Sequence, residues 1–186
     1  MKSFEECFEL ASLRDGHYSF KPERHRILYD ALAPVFAENP HPVCLELGVC
    51  HGRTAVLLMA MGFAYHGIDD FSLEGSVGSL LDFMDENKLY GELILQRTQD
   101  AEWYDEVDVL LVDGDHSEFG VPFDCEKYIP FVKPGGIVVF DDYEETGLPR
   151  DQDAHWAVAH YANLHTAGWG VILKGDGFLI ARKPKE

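Results

Sequence analysis

Acidic side chains recur where apolar runs end. Asp113 closes the run 107–112 in Val112-Asp113-Gly114-Asp115-His116-Ser117, and Asp141-Asp142 closes the run 137–140. If those runs are neighbouring strands about 4.8 Å apart, carboxylates at matching ends converge. Three crowded carboxylates repel unless a cation or protons compensate. An oxygen-only set suits Mg²⁺, which keeps several waters and leaves positions for a substrate. Asp113, Asp141 and Asp142 are therefore the expected metal ligands. Asp115 and His116 follow Asp113 closely enough to take a proton from a metal-bound substrate hydroxyl. The plainer alternative is a polar turn, with Asp115 capping the next helix and Asp141-Asp142 capping a loop.

A second constellation lies upstream. Glu46-Leu47-Gly48-Val49-Cys50-His51-Gly52-Arg53-Thr54 ends the run 43–47 and opens a helix. Gly48 and Gly52 allow a tight turn and close approach to a ligand, and the helix N-terminus offers N–H groups to an anion. The spacing E-x-G-x-x-x-G is not the G-x-G-x-x-G of dinucleotide sites; it suits a ligand with a carboxylate and a ribose. Farther on, Gly67-Ile68-Asp69-Asp70 ends the next run, where Asp69 would accept hydrogen bonds from ribose hydroxyls. Arg53 pairs either with a ligand carboxylate or with a surface acid. Cys50 and His51 are chain neighbours, which does not by itself make a nucleophile and its base. Trp103 and Tyr104 either flank an adenine pocket or pack as core aromatics.

The elements that must hold these residues alternate. Short apolar runs at 43–47, 64–69, 93–96, 107–112, 137–140, 170–173 and 178–181 are separated by amphipathic stretches at 22–38, 53–61, 76–88, 121–131 and 154–166. Several runs lack in–out alternation, as strands covered on both faces do. The expectation is an α/β, Rossmann-like doubly wound sheet of about seven strands, with five βα units followed by a hairpin. The sheet is mostly parallel, and Lys174-Gly175-Asp176-Gly177 turns a C-terminal antiparallel hairpin. Pro34 should end or kink the first helical stretch, and Lys133-Pro134-Gly135-Gly136 fits a type II turn. Residues 1–186 read as one domain, a helical extension (1–42) preceding a core (43–183).

Composition narrows the partners. The 186 residues carry 15 Lys and Arg against 33 Asp and Glu, a formal charge of −18, which repels a phosphate backbone or an anionic membrane. No apolar run approaches the ~18 residues of a membrane helix, and Glu5, Glu6 and Glu9 stand where a signal peptide would be basic, so a cytoplasmic location is expected. Cys7, Cys44, Cys50 and Cys125 form no C-x-x-C pair and read as free thiols.

Taken together, the glycine loop, Gly67-Ile68-Asp69, Lys133-Pro134-Gly135-Gly136 and the terminal hairpin resemble class I S-adenosylmethionine-dependent methyltransferases from Val43 to Lys183. Asp113-Gly114-Asp115-His116-Ser117 and Phe140-Asp141-Asp142-Tyr143 are similar to the metal-dependent O-methyltransferase branch. That branch includes macrocin O-methyltransferase-like and cephalosporin-hydroxylase-like proteins and, more distantly, catechol O-methyltransferases. The resemblance implies S-adenosylmethionine as cofactor, its methionine part held by Gly48 and Thr54, its ribose by Asp69 and its adenine near Asp100, with Glu46, Gly52 and Asp113 bordering the same site. It further implies Mg²⁺ on Asp113, Asp141 and Asp142. Asp115 is the favoured base in the macrocin-like branch, whereas the catechol-type enzymes place a basic residue where His116 falls.

The acceptor implied is a hydroxyl of a small molecule or sugar. Its recognition is expected from Arg14-Asp15-Gly16-His17-Tyr18 and from 144–151. The chain is short for this branch, so either a large macrocyclic substrate is disfavoured or a homo-oligomer completes the pocket. Two other classes compete: a metal-dependent hydrolase using the same carboxylates, and a non-catalytic binding module with a methyltransferase fold. Acids outside the ligand edge read as solvated surface.

Overall fold

A computed structural model of the chain describes residues 1–14, 22–72, 76–144 and 155–186, and these described residues hold seven strands and seven α-helices. The chain order is α1 (Phe4–Ser12), α2 (Pro22–Leu32), α3 (Val35–Glu38), β1 (Val43–Leu47), α4 (Arg53–Met61), β2 (Ala64–Asp69), α5 (Ser76–Asn87), β3 (Gly91–Leu95), β4 (Val107–Val112), α6 (Gly120–Tyr128), β5 (Val132–Tyr143), α7 (Trp156–His165), β6 (Gly170–Gly175) and β7 (Gly177–Arg182). The strands form one sheet in the order β3-β2-β1-β4-β5-β7-β6. The first five run parallel, while β7 is antiparallel to both β5 and β6. This is the doubly wound sheet with its terminal hairpin that the pattern of runs predicts.

Covering on both faces explains the unbroken apolar runs. In β4, Val109 and Leu111 join the core under α1, α2, α4 and α5, while Leu110 and Val112 join a second core under α6 and α7. Ile137 and Val139 of β5 go to the first core and Val138 and Phe140 to the second, so every residue of the run is apolar.

Several boundaries differ from expectation. The chain passes from β3 to β4 through residues 96–106 without a helix, so four strand–helix–strand crossovers precede the hairpin rather than five βα units. Pro34 divides the stretch 22–38 into α2 and α3, since a proline removes a helical N–H and crowds the preceding turn. β3 begins two residues early, because Gly91 pairs with Tyr65 of β2. β5 begins at Val132, so the Pro134-Gly135 turn lies inside it; Gly135 there has φ +80°. α1 falls within the expected helical extension 1–42 but ahead of the stretch 22–38; Ser3 and Glu6 form its reciprocal capping box, and Cys7 and Ala11 share one buried face. It packs on α4 and thereby backs the glycine loop.

Candidate active site

The carboxyl ends of β1, β2, β4 and β5 open into a cleft of about 1030 Å³, the edge at which open α/β sheets bind ligands. Glu46, Gly48, Gly52, Thr54, Asp69, Asp100, Asp113, Asp115, His116, Asp141 and Asp142 all line it. The fold thus collects these residues from five separate stretches of sequence.

Backbone geometry fixes the first wall. Gly48 has φ +85°, and a Cβ there would lie 2.1 Å from the Asp113 carbonyl oxygen. Only glycine lets the β1 end and the β4 end approach so closely. The loop then passes through Cys50 at φ +51° and Gly52 at φ +78° before α4 begins. Asp69 holds this loop: its Oδ2 accepts from Val49 N (2.7 Å) and Cys50 N (2.8 Å), and its Oδ1 from Phe71 N (2.6 Å). Three of roughly four acceptor positions of the carboxylate are therefore engaged by backbone. Asp70, exposed beside it on the same cleft, accepts from Ser72 N at 3.0 Å and lies 3.7 Å from Arg97 Nε.

Behind the loop, Glu46 is buried and accepts a hydrogen bond from the Tyr65 hydroxyl. Gly67 makes room for that hydroxyl, since a Cβ there would lie 2.6 Å from it. Burial raises the Glu46 carboxyl well above the ordinary range despite the opposing hydrogen bond.

The second wall carries the carboxylates of β4 and β5. His116 lies between two of them, its Nε2 3.5 Å from Asp113 Oδ1 and its Nδ1 3.7 Å from Asp142 Oδ2. The Asp113 contact raises the imidazole above its usual value, with burial opposing. Burial lifts the Asp113 and Asp141 carboxyls above the usual range as well; His116 opposes the rise at Asp113, and Arg24 opposes it at Asp141. Asp115 is turned to another task. Exposed, it accepts from Ser117 N and Ser117 Oγ, both at 2.9 Å, and Ser117 Oγ in turn accepts from Gly120 N at the start of α6. The polar-turn reading of Asp115 thus matches its contacts.

Asp113, Asp141 and Asp142 share the cleft, but their arrangement does not fit Mg²⁺. Arg24 of α2 is hydrogen-bonded to Asp141 Oδ1, and its second terminal nitrogen lies 3.3 Å from Asp142 Oδ1. A guanidinium stands where the oxygen ligands would have to meet a cation. Among the described residues, the set whose ligand atoms come within 4.8 Å of one another is His116, Asp142 and His155.

Of the other expected residues, Cys50, His51 and Arg53 border the cleft as well, and the rest of those described do not. Trp103 is buried, stacked edge-on to His66, and donates from Nε1 to the Asp105 carbonyl; Tyr104 is exposed, and neither borders the cleft. Arg53 donates to the Arg14 carbonyl (2.9 Å). Arg14, expected in substrate recognition, is instead buried and ties α1 to the His51 and Ser79 carbonyls. The remainder of that segment, 15–18, and residues 145–151 lie outside the described residues, while Glu144 is exposed. Cys7, Cys44 and Cys125 are buried free thiols raised by desolvation, Cys7 to about 11 and Cys125 to about 12; Cys50 is half-buried and also raised. None has the lowered pKa of a reactive thiolate.

Sequence reasoning missed Arg24, Tyr65 and Asp124. Arg24 has no local signal, because its partner Asp141 is 117 positions away. Tyr65 gave one, sitting two residues before Gly67 and in register with Cys44, two residues before Glu46. Asp124 lies under the Asp113-Gly114-Asp115 turn, and a Cβ on Gly114 would come within 3.1 Å of its Oδ2.

A family model described as a methyltransferase domain matches residues 45–143, more than half of the chain. An uncharacterized protein of Acanthamoeba polyphaga mimivirus, R132, is 44 % identical over 39 residues, covering 21 % of this chain and 18 % of that protein. Among solved structures, an O-methyltransferase from Bacillus cereus in complex with SAH superposes with TM-score 0.69 at 18 % identity, over 97 % of this chain and 90 % of that one. CalS11, a TDP-rhamnose 3′-O-methyltransferase of calicheamicin biosynthesis, gives 0.66 at 15 % identity, over 96 % and 92 %. TehB from Haemophilus influenzae gives 0.64 at 15 % identity, over 83 % of this chain and 61 % of its own, so this chain spans less than two thirds of that protein. An N-methyltransferase and rRNA methyltransferases share the fold too, so this likeness speaks for architecture alone.

Proposed function

Because this chain belongs to the methyltransferase-domain family, we propose that its cleft binds S-adenosylmethionine and passes the methyl group to a hydroxyl of a small molecule or sugar. The observation that carries the choice of oxygen as acceptor is His116, held between Asp113 and Asp142 in the same cleft as the glycine loop. In this reading an acceptor O–H beside His116 gives its proton to the neutral imidazole. The oxygen forms its bond to the methyl carbon as the S–CH₃ bond breaks, and the sulfonium becomes a neutral thioether. Asp113 and Asp142 then stabilise the imidazolium. Asp69 acts chiefly by keeping Val49 and Cys50 in the loop conformation, and Asp70 supplies the second acidic side chain at the ribose end. The acidic wall attracts the sulfonium before transfer and loses that attraction afterwards, which favours product release more than it lowers the barrier.

Two features support a small acceptor over a nucleic acid. The formal charge of −18 opposes a polyanion, and the acids bordering the cleft concentrate that field. Metal assistance, expected from the carboxylates and from the resemblance, is not part of this reading, since Arg24 already pairs with Asp141 and Asp142. A metal-dependent hydrolase loses its ground for the same reason.

Calorimetry with S-adenosylhomocysteine, followed by single-turnover assays over a panel of phenols and sugars, tests the proposal. His116→Asn is expected to slow transfer about 10²- to 10⁴-fold, the usual contribution of a general base, with cofactor affinity kept. No S-adenosylhomocysteine uptake would overturn the reading, and binding without turnover across the panel would favour a binding module. A larger loss in Asp115→Asn than in His116→Asn would assign the proton to Asp115.

A further inference from the structure

Asp113, Asp141 and Asp142 place three carboxyl groups at the ends of two adjacent strands, and such crowding is relieved by a resident positive charge or by bound protons. α2 provides one. The Arg24 guanidinium bonds Asp141 and reaches Asp142 at 3.3 Å and the Gly177 carbonyl oxygen, also at 3.3 Å. Its central carbon lies over the Phe178 ring, 4.7 Å from the centroid. Three acceptors and an aromatic face make a shaped seat for a planar cation, which a lysine ammonium would not fill in the same way.

The hairpin is also cut to fit it. Gly177 has φ +82°, and a Cβ there would lie 3.0 Å from the guanidinium carbon. A side chain at this position would crowd the guanidinium and shift it by a few tenths of an ångström. Sites on α2, on β5 and on β7 therefore agree on one occupant.

We propose that Arg24 is the built-in cation of this carboxylate cluster, standing in the place of the divalent metal, so that the protein neither needs nor takes up one there. The inference rests on reading the cleft as the methyl-transfer site only for its consequence. A guanidinium neutralises carboxylates and donates hydrogen bonds, but it has no coordination sphere in which to hold the acceptor oxygen and acidify it. Deprotonation then falls to His116 alone. A divalent ion could enter only by breaking the Arg24 pairs and expelling a half-buried guanidinium from its seat.

The test is a calorimetric titration of the full chain with MnCl₂ after removal of adventitious metal, with Mn²⁺ electron paramagnetic resonance as a second readout. The wild type is expected to show no saturable uptake, and Arg24→Met, which empties the seat while keeping an apolar stem over Phe178, to bind a single Mn²⁺ at least about tenfold more tightly than wild type. If Arg24→Met does not fold, Arg24→Gln is titrated in its place. Saturable Mn²⁺ uptake by the wild type, of affinity unchanged by the substitution, would overturn the proposal. So would a folded variant that still takes up no ion. S-adenosylhomocysteine binding, measured on the same samples, reports separately on the function reading: its failure would sink that reading and leave the metal result standing.

Discussion

Asp124 of α6 is fully buried beneath the turn that carries Asp115 and His116, and neither of its oxygens has a hydrogen bond of good geometry among the described residues. Burial raises its carboxyl to about 6, with Thr98 beside it opposing the rise. The folded protein therefore keeps a proton that the unfolded chain, with its carboxyl near 3.8, has already released. Stability is favoured by this group below about pH 4 and declines as the pH rises to about 6, by up to about 3 kcal/mol at ~1.4 kcal/mol per pH unit. Asp124→Asn should remove that slope and leave the variant more stable than wild type by about 2 kcal/mol at pH 8, read from urea unfolding at pH 5 and pH 8. Parallel behaviour of the two proteins would show that Asp124 does not titrate in this way. Sequence alone offered no reason to separate this acid from solvated surface ones. The same holds for Asp108, which accepts from Asn39, Val43 N and Lys133 at the far end of β4. A charged letter does not reveal which face of its element is covered.

At the scale of elements, the Asp141-Asp142 pair poses a geometric problem, because successive residues of a regular strand point to opposite faces. β5 solves it with a bulge. Its register against β7 shifts between Asp141 and Tyr143, and Asp142 takes φ +52°, so both carboxylates turn into one cleft. Asparagine tolerates this left-handed conformation and a β-branched residue does not. Asp142→Val should thus be less stable than Asp142→Asn by about 1–2 kcal/mol, measured by urea denaturation; equal midpoints would mean that the strand straightens freely. The acids at the ends of the runs 107–112 and 137–140 were legible, as was the glycine loop from its spacing, whereas the adjacency of the two strand ends was only a condition that the pairing of β4 with β5 meets. The bulge was not legible, because its cause lies in pairing with β7, thirty-odd residues downstream. α1 stood between these cases: Ser3 and Glu6 spelled its cap, yet its acids were read only as evidence against a leader.

Across the whole molecule, the charge of −18 acts at distances that no single contact does. S-adenosylmethionine carries one more positive charge than S-adenosylhomocysteine, and fields are screened beyond ~10 Å at 0.1 M salt. Stopped-flow association of the sulfonium should therefore slow with ionic strength more steeply than that of the thioether; identical salt slopes would show that the surface field does not reach the cleft. The strands of the sheet and their covering on both faces were readable from periodicity, because apolar runs report burial directly; the order of the strands was not. Long-range partnerships such as Arg24 with Asp141 and Gly177 were not, being separated by 117 and 153 positions. Those same separations bear on how the cleft comes into being. Each contact closes a chain loop spanning most of the molecule, and such closures become favourable only after nearer contacts have shortened the path. The parallel strands, the hairpin and α2 must all be in place before the guanidinium finds its seat, so the chemistry of this protein belongs to the final step of its folding.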